Sequence, residues 1–280
     1  MKTKNILTTL SALSLLILAG CKKEKSDPEI EATFQLSEDQ AAGESIADDV
    51  NVVFFETAVN EGLIGSRTSQ SLQTTNSASC ATVTVTPQNS FPKTIVIDFG
   101  TAGCTSIDGI TRKGKINIIL SDSVFHPGAT AVMTFDNYYV SNFKVEGTIT
   151  WTNTSTPNGI SWTRQIENGK ITIPSGNYYW LHVGTKTVTQ TAGAGTPLNL
   201  LDDIYSITGN HTVTNPAGKS RTAAITEALE KKTICHNVGK GKIRIEGPNH
   251  YAIVDFGDGT CDRVATISID GHAPRIILLP

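Results

Sequence analysis

From Cys80 onward the chain runs in a period of two, and this limits its fold more than any other feature. Val83 and Val85 alternate with Thr82, Thr84 and Thr86. Thr148-Ile149-Thr150-Trp151-Thr152 and Thr185-Lys186-Thr187-Val188-Thr189 follow the same rule. Successive side chains of a strand point to opposite faces, so alternation marks strands with one buried face. Pro157-Asn158-Gly159, Asn168-Gly169, Pro174-Ser175-Gly176 and Pro216-Ala217-Gly218 punctuate these runs as turns. Asn-Gly ahead of a strand is a strong hairpin signal. Residues 222–232 suit a short helix or a strand, and their alternating neighbours favour strand. The expected fold class is all-β: an antiparallel meander forming a curved sheet, sandwich or open barrel, with one N-terminal amphipathic helix.

That helix is expected near residues 38–61. Ser37-Glu38-Asp39-Gln40 has the form of a capping box. Ile46, Val50, Val53, Phe54 and Thr57 follow at helical spacing, and Gly62 offers a stop. Its polar face would carry Glu44, Asp48, Asp49, Glu56 and Glu61. Anionic headgroups would repel such a face, which argues against the alternative of a membrane-surface helix. Residues 65–79, rich in Ser, Thr, Gln and Asn, read as loop.

One phrase recurs. Lys113-Gly114-Lys115-Ile116-Asn117-Ile118, Asn168-Gly169-Lys170-Ile171-Thr172-Ile173 and Lys240-Gly241-Lys242-Ile243-Arg244-Ile245 read as turn plus strand. A second echo involves the cysteines. Ile97-Asp98-Phe99-Gly100 reaches Cys104 after three residues, and Val254-Asp255-Phe256-Gly257 reaches Cys261 in the same way. Cys80 and Cys235 lie 24 and 26 positions upstream of these. Four cysteines allow three pairings. The echo favours Cys80–Cys104 and Cys235–Cys261, two equivalent stapled hairpins bracketing the central strands. A four-cysteine metal site is disfavoured, because no pair has CxxC spacing.

The start of the chain reads as an export signal. Lys2 and Lys4 precede an apolar run from Ile6 to Leu18 that is too short for a comfortable membrane span. Leu18-Ala19-Gly20-Cys21 resembles the lipobox of bacterial lipoproteins, which implies cleavage before Cys21 and lipidation of its thiol. Two or more acyl chains, palmitate among them, would hold stably, since each buried methylene contributes about 0.8 kcal/mol. The expected organisation is a signal peptide over 1–20, a lipidated cysteine and tether over 21–36, and a single β-rich domain over 37–280. Lys22 rather than Asp after the cysteine points to the outer membrane, on either its periplasmic or its surface face. Losing Lys2 and Lys4 takes the formal charge from −3 to −5. A charge of that sign argues against nucleic acid.

The lipobox, the two Asp-Phe-Gly-x3-Cys phrases, Thr111-Arg112-Lys113-Gly114-Lys115-Ile116, Phe135-Asp136-Asn137-Tyr138-Tyr139-Val140 and Val145-Glu146-Gly147-Thr148 resemble a family of uncharacterised β-rich lipoproteins from Bacteroidota. The resemblance implies export, lipidation and β architecture, and brings no activity or catalytic residue. Asp255-Phe256-Gly257-Asp258-Gly259-Thr260 also resembles a turn of PKD-type β-sandwich modules. Asp122-Ser123-Val124 resembles an O-glycosylation sequon of exported proteins from that phylum.

No HExxH, GxSxG or phosphate-binding loop occurs, and no cofactor is implied. Asp255, Asp258 and Asp262 form the densest acidic cluster, which suits turn-making better than a metal. Asp98, Asp136, Glu146 and Glu167 are the candidate carboxylates for a hydrolase, with no pair singled out. Trp151, Trp162 and Trp180 fit the core better than an exposed stacking face. The leading expectation is a non-catalytic, membrane-anchored envelope protein that binds an unidentified ligand or partner. The alternatives are a carrier of a lipid or other hydrophobic ligand, and a secreted hydrolase.

Overall fold

The computed structural model describes residues 27–64 and 73–280. Cys21 and the proposed signal peptide lie outside the described residues. A helix, α1 (Pro28–Asn60), precedes β1 (Thr82–Thr86), β2 (Lys93–Asp98), β3 (Cys104–Thr105), β4 (Thr111–Leu120), β5 (Thr130–Val140), β6 (Phe143–Asn153) and β7 (Ser161–Ile173). Then come β8 (Tyr178–Ala192), β9 (Ile204–Thr214), β10 (Ser220–Lys232), β11 (Lys240–Glu246), β12 (Tyr251–Asp258), β13 (Val264–Ile269) and β14 (Arg275–Leu278). The strands form one 14-stranded antiparallel meander in which β3 pairs with β4 beside β2. β1 and β14 are its edges, so the sheet is open. Residues 222–232 are strand, within β10.

The sheet curls around α1. Side chains of the helix bond to β4, β6, β7, β8 and β10, and to the β11–β12 turn. Leu36, Val50, Val53, Phe54 and Ala58 are sealed within this wrap. Burying one such large side chain contributes about 1.5–3 kcal/mol. The helix starts ten residues earlier than predicted, so residues 28–36 belong to it rather than to a tether. Asp27 is the true cap, its Oδ1 accepting from Glu29 N at 2.8 Å, and Pro28 occupies the first helical position. Ser37 lies inside the helix and donates back to Thr33 O at 2.7 Å. Gly62, at φ +67°, makes the predicted stop.

The recurring Gly-Lys-Ile phrases are not turns. Gly114, Gly169 and Gly241 sit inside β4, β7 and β11, each at a break in register with a neighbouring strand. At Gly114, with φ +80°, a Cβ would lie 2.0 Å from Asn137 O. At Gly147 the equivalent distance is 2.7 Å to Asn168 O, and Asn137 and Asn168 themselves have positive φ. Such bulges bend strands and tighten their twist. Repeated on neighbouring strands, they give the sheet its curl.

Both disulfides are formed, Cys80–Cys104 and Cys235–Cys261. The first closes the base of the β1–β2 hairpin and the second the base of β11–β12. Phe99 and Phe256 of the two echoes are both buried. In each unit the Asp-Phe-Gly strand pairs with a Lys-Gly-Lys strand, Asp98 opposite Lys115 and Asp255 opposite Lys242. The chain order differs: the lysine strand follows in the first unit and precedes in the second.

Candidate functional site

The acids of α1 face inward, which corrects the expected solvated polar face. Arg164 of β7 donates from Nη2 to Glu44 at 2.6 Å and from Nη1 to Asp48 at 2.7 Å. Lys186 of β8 pairs with the same Glu44, and all four side chains are at most 4% exposed. Glu56 accepts from the backbone N–H groups of Thr75 and Ser77, both at 2.6 Å. Burial raises its pKa, and these bonds oppose the rise. Of the five acids named, Glu61 alone is exposed. Buried charges of this kind persist only when paired and hydrogen-bonded.

Next to this cluster His182 Nε2 lies 2.5 Å from His211 Nδ1. Burial, then the charge of Arg164, pushes His182 down to about 3. Burial also lowers His211, so both rings are neutral.

The predicted carboxylates do not converge on a pocket. Asp98 pairs with Lys115 at 2.9 Å, Glu146 with Lys144 at 2.9 Å, and Asp136 and Glu167 are exposed. Asp255, Asp258 and Asp262 each accept a backbone N–H two residues on, as turn-makers do. Trp151, Trp162 and Trp180 are buried, each at most 3% exposed.

A different set of residues does converge. Arg112 of β4 donates from Nε to Asp49 at 3.0 Å, from Nη1 to Ser77 O at 2.8 Å and from Nη2 to Asp108 at 2.7 Å. Burial works against the Arg112 charge, but Asp49 and Asp108 more than offset it and raise its pKa. Beside this fork opens a cavity of about 320 Å³. Its floor is Ser45, Ile46 and Asp49 of α1. One wall is Asp108–Ile110, just past Cys104; the other holds His236, Asn237 and Arg263, just past Cys235 and Cys261. The cavity therefore lies at the seam where the two stapled units face each other.

Asn237 distinguishes this cavity. The residue is 2% exposed, and its amide nitrogen has no partner among the described residues. A buried amide left unpaired costs about 1–3 kcal/mol, so such groups ordinarily carry a bond. No family model, curated protein or solved structure matches the chain. The seam must therefore be interpreted from its own chemistry. Its carboxylates are spent on Arg112, and Ser45 Oγ is spent on Ala41 O at 3.3 Å. Arg263 gives Nε and Nη2 to Leu279 O. What the cavity offers is the Asn237 amide, with Arg263 and His236 towards its mouth and Ile46, Ile110 and Val140 as apolar surface.

Sequence reasoning missed Asn237, Arg263, Asp108 and Arg112 as a group. The usable signal was the position of Asp108, Asn237 and Arg263 just past Cys104, Cys235 and Cys261, with Arg112 opposite Cys104 in the β3–β4 pairing. Disulfides fit an extracytoplasmic protein, and no helix among the described residues is long and apolar enough to cross a membrane.

Proposed function

We propose that this chain is an exported, lipid-anchored envelope protein that binds a small polar ligand in the seam cavity and does not transform it. The unpartnered Asn237 amide in the cavity wall carries this reading. A cavity of this volume is at the small end of ligand sites. An amide offers one donor group and one acceptor, so the ligand brings both, as hydroxyl- or amide-bearing molecules do. The lipobox resemblance supports the anchor at Cys21, with the outer membrane as the expected location. A long-chain lipid carrier is the weaker reading, because α1 fills the concave side of the sheet.

The test is calorimetric titration of simple sugars, hydroxy acids and short amides into the mature domain and into Asn237→Leu. Binding by the wild type that the variant loses supports the proposal. A panel that binds neither protein, or both equally, defeats it. Anchoring is checked separately by radiolabelled palmitate incorporation, expected in wild type and absent in Cys21→Ala.

A further inference from the structure

A second cavity, of about 260 Å³, lies where the C-terminal half of α1 meets β7, β8 and β9. Its character is opposite to that of the seam. Phe55, Ile160, Trp162 and Tyr205 supply ring and aliphatic surface. Phe55 meets Trp162 edge-on with ring centres 5.0 Å apart, and Tyr205 meets it at 6.1 Å. Polar side chains, Ser155, Gln190 and Asp203 among them, interrupt this apolar wall. Asp203 accepts from Tyr205 Oη at 2.7 Å and from Gln190 Nε2 at 2.8 Å. Trp162 is 2% exposed, and its indole nitrogen has no partner among the described residues.

Trp162 Nε1 can only donate, so the missing group is an acceptor. Asp203 is held by two donors, and its carboxylate oxygens keep lone pairs to accept a third. One hydroxyl group can accept from the indole and donate to the carboxylate. The surrounding rings favour an aromatic ring over a chain. An apolar cavity of about 150 Å³ already holds benzene, so this one has room for a substituted ring.

We propose that this cavity binds a small phenol, a single aromatic ring bearing one hydroxyl. The site is independent of the seam cavity and of the function proposed for it. Burial pushes Asp203 up to about 6, against the bonds from Tyr205 and Gln190. Phenol binding therefore weakens as the pH falls through that value.

The experiment is ligand-observed NMR and calorimetry on the mature domain with p-cresol and with toluene, which lacks the hydroxyl. The p-cresol is expected to bind roughly five- to tenfold more tightly, the worth of about one net hydrogen bond. Trp162→Phe keeps a ring and removes the donor. It should narrow the preference for p-cresol over toluene and leave the part of it that comes from the bond to Asp203. Equal binding of the two ligands by the wild type, or no binding of p-cresol, overturns the proposal without the variant. If Trp162→Phe folds and holds p-cresol as tightly as the wild type, the assignment of the indole is overturned.

Discussion

Asp48 and Asp49 are neighbours on α1, yet each meets its arginine in a different setting. Asp48 turns to Arg164, sealed with Glu44 and Lys186 where nothing is more than 4% exposed. Asp49 turns to Arg112, whose guanidinium also reaches Asp108 and stands beside the seam cavity. Both arginines tie the helix to the sheet. In the first every member of the set is enclosed, and breaking it leaves buried charge with no counter-charge beside it. In the second the same chemistry borders space that water or a ligand can enter. The comparison teaches that an ion pair's worth depends on what replaces a lost partner.

The largest expected effect follows from this. Arg164→Leu strands Asp48, leaves Glu44 to Lys186 alone, and should lower stability by about 3–5 kcal/mol in urea denaturation. Opening the seam staple with Cys235→Ser and Cys261→Ser should cost about 3 kcal/mol. Faster hydrogen exchange should then appear around Asp108 and Asn237 and not around Glu44. Arg112→Leu should cost less, about 2–3 kcal/mol, because cavity water can solvate Asp49 and Asp108. Equal losses for the two arginine variants would erase the distinction. Lys115→Ala removes a solvent-screened pair with Asp98 and should leave the urea midpoint almost unchanged.

The smallest effect is local to the start of α1. Glu29 accepts from Asn249 N at 2.7 Å, and His250 bridges Asp270 at 2.6 Å and Asp27 at 3.4 Å. Hydrogen bonds lower the pKa of Glu29, through Asn249, and of Asp270, through Tyr251 N, and the bond to Asp270 raises that of His250. The carboxylates contribute above their ordinary range and lose that contribution as pH falls through the lowered values. The histidine contributes fully below its ordinary 6.5 and loses this as pH rises through the raised value. The latch is therefore tightest between 4.5 and 6.5. Amide exchange in the first turns of α1, corrected for intrinsic rates, should be slowest in that window.

Much of the sheet was legible in the sequence, because alternation is a local property of each strand. The hairpin staples were legible too, since the cysteine echo repeats a spacing. The glycine phrases misled, because a turn and a bulge make the same demand for positive φ. Only the partner strand's register tells them apart, and Asn168-Gly169 carries no trace of it. The start of α1 was signalled by Asp27-Pro28 and hidden by the better-looking Ser37–Gln40, whose residues are interior. The inward acids were illegible for a stronger reason. Glu44 reads as a surface residue until Arg164 and Lys186 arrive from more than a hundred positions away. Asn237 was equally silent, since nothing local marks an amide as unpaired.

The wrapped helix also has a consequence in time. Its partners are spread from Thr75 to His250, so α1 is made first and completed last. Contacts this distant in sequence slow folding, because loop closure precedes any gain. A closed barrel would have to form with its helix already captured. An open sheet, with β1 and β14 as its two edges, carries no such requirement, because its last strands can pair after the helix is in place.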